Sequence, residues 1–139
     1  MTARDTRTGD VLEKMVLPAL ESGGYTYRKQ VQIGARPGGR KHKVDVLAED
    51  SGGNEFLISM KWQQTSGTAE QKVPFEVICL AEVVLADPKR KAYLVLGGGG
   101  WTLREFYTKG GLSKHLTNAD RVTILDLESF VARANRGEL

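Results

Sequence analysis

Two short apolar segments each carry one charge where a sheet should be driest. Lys43-Val44-Asp45-Val46-Leu47 places a carboxylate inside the first, and Phe56-Leu57-Ile58-Ser59-Met60-Lys61 closes the second on an ammonium. Both read as strands, with the turn-forming Asp50-Ser51-Gly52-Gly53-Asn54 between them. Burying a charge is costly unless it is paired or bound to a metal. The chain is therefore constrained to set these strands side by side, with Asp45 and Lys61 meeting at their edge. A salt bridge from Asp45 to Lys43 or Lys61 would satisfy the carboxylate, and a lysine snorkelling beside Trp62 would satisfy the ammonium. A carboxylate and a lysine so placed also suit a hard cation and a phosphate.

A chain of 139 residues has room for one domain with a real core, and 1–139 reads as a single domain. No apolar run reaches the length of a membrane span, and the Asp- and Arg-rich start does not resemble a signal peptide. The single Cys79 excludes an internal disulfide and suits a reducing compartment, so a cytoplasmic protein is expected. The net charge of +3 is modest, but its distribution is uneven. Between Ser22 and Val44 there is no acidic residue, while Arg28, Lys29, Arg36, Arg40, Lys41 and Lys43 all fall there. Such a block is a candidate polyanion contact, with solvated surface as the alternative.

Along the chain, Asp10 and Glu13 have the spacing of a capping box, and Leu12, Met15, Val16, Ala19 and Leu20 recur at helical period before Gly23-Gly24. Tyr25, Tyr27, Lys29, Val31 and Ile33 alternate onto one face of a strand, and Pro37-Gly38-Gly39 marks a turn. After the two charged strands, Val73, Val77, Leu80, Ala81 and Val84 predict a helix. Pro74 favours a start near itself, with Glu76 in the first turn. Ala92–Leu96 is a fully apolar strand, Thr102–Tyr107 a short helix, Val122–Leu125 a last strand and Leu127–Ala134 a closing helix. The order α-β-β-β-α-β-(α)-β-α describes a mixed α/β sheet with helices on both faces.

Asp45, the fourteen-residue step to Ser59 and the triplet Ser59-Met60-Lys61 resemble the PD-(D/E)XK nuclease superfamily over roughly residues 10–96. Glu13 matches an acidic residue that many members carry on a preceding helix. The resemblance implies a restriction-endonuclease-like mixed central sheet flanked by helices. One departure is plain: Ser59 stands where the family has Asp or Glu two residues before the lysine. A subgroup of type II restriction enzymes also has Ser there and takes the missing carboxylate from a glutamate on the following helix. Glu76, fifteen residues past Lys61, lies near that spacing, and Glu70 is a second candidate.

By that resemblance the catalytic set is Glu13, Asp45, Ser59, Lys61, Glu76, Glu70 and Gln63. Asp45, Glu76 and Glu13 would hold Mg²⁺, for which Mn²⁺ would substitute. The metal would stabilise charge on the phosphate and lower the pKa of a bound water, while Lys61 would neutralise the phosphate or orient the water. Gln63, two residues past Lys61, shares its strand face if the strand continues. Local rules also account for Glu13, through a capping box, and for Glu76, through the preference for acids in a first helical turn. The six basic residues would contact DNA. The activity implied is a Mg-dependent DNA endonuclease, structure-selective in the manner of small Holliday-junction resolvases. It would act on duplex or branched DNA as a homodimer, away from membranes, in a bacterial, archaeal or phage setting. A compact type II restriction endonuclease is the alternative within the class. A non-catalytic DNA-binding module on the same fold is the alternative outside it.

Other constellations are absent. Gly97-Gly98-Gly99-Gly100 follows a strand without the Gly-Lys-Ser/Thr of a phosphate loop, and it is expected to allow a tight turn or a close approach to a DNA backbone. His42 and His115 with one cysteine make no zinc pattern, and no serine-hydrolase elbow is present. Trp62, Trp101 and Tyr107 could stack on bases but occupy positions usual for core.

Overall fold

A computed structural model describes residues 7–139; residues 1–6, which hold Arg4 and Asp5 of the Asp- and Arg-rich start, lie outside the described residues. The N-terminal helix is continuous but changes winding: α1 (Arg7–Val11), a π-helical turn (Leu12–Val16) and α2 (Leu17–Ser22). Pro18 follows the π turn, and its missing N–H and bulky ring disfavour regular α winding just before it. Asp10 lies inside α1 and Glu13 inside the π turn, so the expected capping box is not formed.

Five strands follow in spatial order β1 (Thr26–Ala35), β2 (Lys41–Glu49), β3 (Glu55–Trp62), β4 (Arg90–Gly97) and β5 (Val122–Asp126). The first three form an antiparallel meander, while β3, β4 and β5 run parallel. The parallel crossovers carry α3 (Ala69–Ala86) and α4 (Arg104–Thr108), and α5 (Leu127–Asn135) closes the chain. Two cores result. Val73, Val77 and Leu80 of α3 pack with Tyr107 of α4 on one face of the sheet. Leu20 of α2 and Phe130 of α5 pack on the other. Strands covered on both faces need apolar residues at every position, and Phe56–Met60 and Ala92–Leu96 are buried throughout. No described helix is long and apolar enough to cross a membrane.

Two further expectations about local structure fail, each for a physical reason. The single-face alternation of β1 is broken at Gln30, which adopts φ +52. Tyr25 and Tyr27 therefore pack with the α2–α5 core, while Val31 and Ile33 pack with the α3 core. The helix after β3 starts at Ala69, not near Pro74, and holds the proline inside it. A proline there removes the hydrogen bond to the carbonyl four residues earlier, that of Glu70. The Tyr107 hydroxyl donates to this carbonyl at 2.7 Å and replaces the lost bond. Tyr107→Phe should strand that buried oxygen and cost about 1–3 kcal/mol, measured as a lower urea midpoint with unchanged m-value.

Candidate active site

The antiparallel register of β2 with β3 runs from Glu49–Glu55 to Val46–Ile58, whereas β3 continues to Trp62 along β4. Beyond Ile58 the β2 side of β3 is open, and Asp45 fills the opening. Its Oδ2 accepts the Met60 N–H at 2.7 Å, a side chain standing in for a ladder bond. Its Oδ1 takes only a long 3.5 Å contact from Gln30 Nε2. Burial pushes the Asp45 carboxyl above its ordinary range and the nearby Glu76 adds to this. The Met60 N–H, the Lys61 charge and Gln30 oppose the shift without cancelling it.

Leu57 faces the α3 core while Ile58 and Met60 face the other, so alternation puts Ser59 and Lys61 on the α3 side. Glu76 descends from α3 onto the same spot. It lies two turns into the helix, not in the first turn, so the helix dipole does not explain its presence. Only 3% exposed, Glu76 accepts from Ser59 Oγ and from His42 Nε2 on Oε1, both at 3.1 Å. Arg36 donates to Oε2 at 3.2 Å. Burial alone would raise the Glu76 pKa, but the His42 bond and the charges of Lys61, His42 and Arg36 outweigh it and hold the group below its ordinary range. Two carboxylates around one lysine are thus pushed in opposite directions, as expected where acids take different tasks.

The remaining candidates have other partners. Glu13 is exposed and pairs with Lys29 at 2.6 Å. Glu70 sits in the first turn of α3, where it accepts from Thr102 Oγ1 at 2.8 Å and from Gln63 Nε2 at 3.0 Å. The Thr102 backbone N–H is the chief influence holding its carboxyl below the ordinary range. Gln63 lies just past the end of β3, so it does not extend the Lys61 face. Its amide bonds Glu70, the Gly100 carbonyl and the Ala69 N–H, joining strand end, helix start and glycine loop. The glycines permit this close packing: a Cβ on Gly98 would stand 2.3 Å from the Gln63 carbonyl oxygen, and one on Gly97 would run into the Trp62 ring. Trp101 and Tyr107 are buried.

Of the basic block, Lys29 is taken by Glu13 and Arg36 by Glu76. Arg28, Arg40, Lys41 and Lys43 are exposed on the β1–β2 hairpin. Sequence reasoning missed Gln30 and His42 as partners of the two carboxylates. His42 had a signal, since Lys41-His42-Lys43-Val44 alternates and puts His42 inward with Val44. Gln30 had none, because a non-glycine residue at positive φ is set by tertiary context.

Among the described residues no cluster of three His, Cys, Asp or Glu side chains forms a ready cage for a cation. Mg²⁺ needs less: it keeps several waters and binds one or two carboxylates. Asp45 Oδ1 has spare acceptor capacity, and Glu76 Oε2 would serve once released by Arg36. The donor set fits a hard divalent cation on these terms.

The profile of the PD-(D/E)XK nuclease superfamily domain matches residues 4–138. The chain belongs to this superfamily. Its nucleases generally use divalent metal ions. The protein of unknown function AF1548 has a similar fold in its crystal structure, with TM-score 0.52 and 13% identity, covering 80% of this chain and 54% of that one. Weaker likenesses, both at TM-score 0.45, are to a repair endonuclease from Pyrococcus abyssi and to EndoMS in complex with double-stranded DNA. They are 15% and 19% identical, each covering 91% of this chain but 48% and 46% of theirs. The chain thus spans about half the length of each of these solved structures. A search of curated proteins finds no significant match.

Proposed function

We propose that this PD-(D/E)XK domain is a Mg²⁺-dependent DNA endonuclease whose Glu76 replaces the acid absent at Ser59. The carrying observation is the 3.1 Å bond from Ser59 Oγ to Glu76 Oε1. It sets a helix carboxylate over the strand position where the acid would otherwise be attached, on the face that holds Lys61. A divalent cation held by Asp45 and Glu76 supplies Lewis acidity and a lowered water pKa when bound. Lys61 offsets the charge growing on the scissile phosphate. His42 and Ser59 fix the Glu76 carboxylate through Oε1, and the Met60 N–H fixes Asp45 through Oδ2.

Arg28, Arg40, Lys41 and Lys43 suit phosphates, and such contacts position a duplex without reading its sequence. This favours selection of a DNA structure, as in junction resolvases, and cutting of both strands calls for two sites in a homodimer. The deciding experiment offers plasmid, linear duplex, single strands and a four-way junction to purified protein with Mg²⁺ or EDTA. Metal-dependent cutting with the junction preferred is expected. No cutting of any substrate, with binding retained, would leave a non-catalytic DNA-binding module.

The hairpin has its own test. Changing Arg40, Lys41 and Lys43 to Gln should weaken binding to all DNA sequences alike. Each lost phosphate contact should lower the slope of log affinity against log salt by roughly 0.9. An unchanged slope would assign these residues to solvated surface.

A further inference from the structure

We infer that Arg36 is a positioning residue that holds Glu76 Oε2 until a nucleic-acid phosphate draws it away, so that cation and DNA binding are coupled. This rests on the proposed role of Glu76 as a metal ligand. Oε1 of Glu76 is already taken by His42 and Ser59, which leaves Oε2 as the oxygen for a cation, and the Arg36 guanidinium occupies it. A guanidinium and a hard cation compete for the same lone pairs.

The origin of Arg36 makes the exchange possible. It sits at the tip of the β1–β2 hairpin, where Gly39 N–H bonds the Arg36 carbonyl at 2.9 Å. Arg36 is 31% exposed while its partner is 3% exposed, so one end of the pair is open to a ligand. Its hold is a single 3.2 Å bond through one guanidinium nitrogen, with the guanidinium carbon 5.9 Å from the Phe75 ring centre. Phosphate offers Arg a two-pronged contact that this arrangement does not. Arg40, Lys41 and Lys43 on the same hairpin would bring phosphates to it. Lys61 remains beside Glu76 in either state, so the site keeps one cation of its own throughout. Linkage makes the coupling reciprocal: whatever factor DNA adds to cation affinity, the cation adds to DNA affinity.

The test titrates Mn²⁺ by electron paramagnetic resonance into the parent, Arg36→Gln and Arg36→Lys. The titrations are repeated with a short duplex in a Lys61→Ala background, to suppress cutting. Without DNA, Arg36→Gln should bind Mn²⁺ about tenfold tighter than the parent, within the usual range of such couplings, and Arg36→Lys should fall between them. Within the Lys61→Ala background, the duplex should tighten Mn²⁺ binding when Arg36 is present and much less with Arg36→Gln. Adding Glu76→Gln should abolish the gain. A merely structural Arg36 would weaken Mn²⁺ binding when replaced, and equal or weaker binding by both variants overturns the inference. If the parent still binds Mn²⁺ and cuts DNA in that case, the nuclease reading survives without the exchange. If no protein binds Mn²⁺ with or without DNA, both fail.

Discussion

Asp45→Asn and Lys61→Ala should each slow Mg²⁺-dependent DNA cleavage at least about a hundredfold, a loss of about 2.7 kcal/mol of transition-state stabilisation. Both proteins should still bind DNA, because the exposed cations of the hairpin are untouched. The stability of Asp45→Asn separates a functional carboxylate from a structural one. Burial raises the Asp45 pKa in the folded chain, so the ionised group is less favoured there than in the unfolded chain. By linkage its penalty is absent below the unfolded pKa and grows as pH rises through the folded one. The amide keeps a carbonyl to accept the Met60 N–H and removes that penalty at neutral pH. Thermal unfolding of Asp45→Asn at pH 7 should therefore occur at or above the parental temperature while cutting collapses. A residue whose charge costs stability is expected where function requires it. Cleavage at the parental rate by either variant would refute the assignment.

How much of this could be read beforehand follows from how local each cause is. The charged strands, the element order and the apolar β4 depend on period and turn chemistry within a few residues, and the structure has them as expected. The Glu76 position depends on where α3 begins, and that depends on Tyr107, thirty-seven residues from the Glu70 carbonyl it bonds. Local rules for proline put Glu76 in a first turn, where the dipole would account for it. Placing it mid-helix removes that explanation and leaves a buried carboxylate with three side-chain donors. The facing of β1 likewise turns on Gln30 at φ +52, which no propensity favours. The resemblance to the superfamily survived both errors because it rested on Asp45, Ser59 and Lys61, which sit on two adjacent strands joined by a short turn.

Glu76→Gln should be as inactive as Asp45→Asn if the helix carboxylate stands in for the acid absent at Ser59. Gln is the cleaner change, since it keeps volume and one acceptor. Glu76→Ala would leave the His42, Ser59 and Arg36 donors facing a void, at a cost of about 1–3 kcal/mol. The void is nonetheless useful. Ser59 Oγ lies 3.1 Å from Glu76 Oε1, so a longer acid at 59 would project into the volume that Glu76 fills. Ser59→Glu alone should destabilise the fold by crowding two carboxylates. Combined with Glu76→Ala, it should restore cutting at least about tenfold above Glu76→Ala alone, a coupling expected only between groups that share one place. Glu70→Gln is the control: it should lower the unfolding midpoint by weakening the contact to Thr102 while leaving cutting intact in the folded protein. Normal cleavage by Glu76→Gln with failure of Glu70→Gln would move the role to Glu70. Normal cleavage by both would mean that the Ser59 position has no substitute, and that Asp45 with Glu13 must hold the metal, which would require Glu13 to leave Lys29.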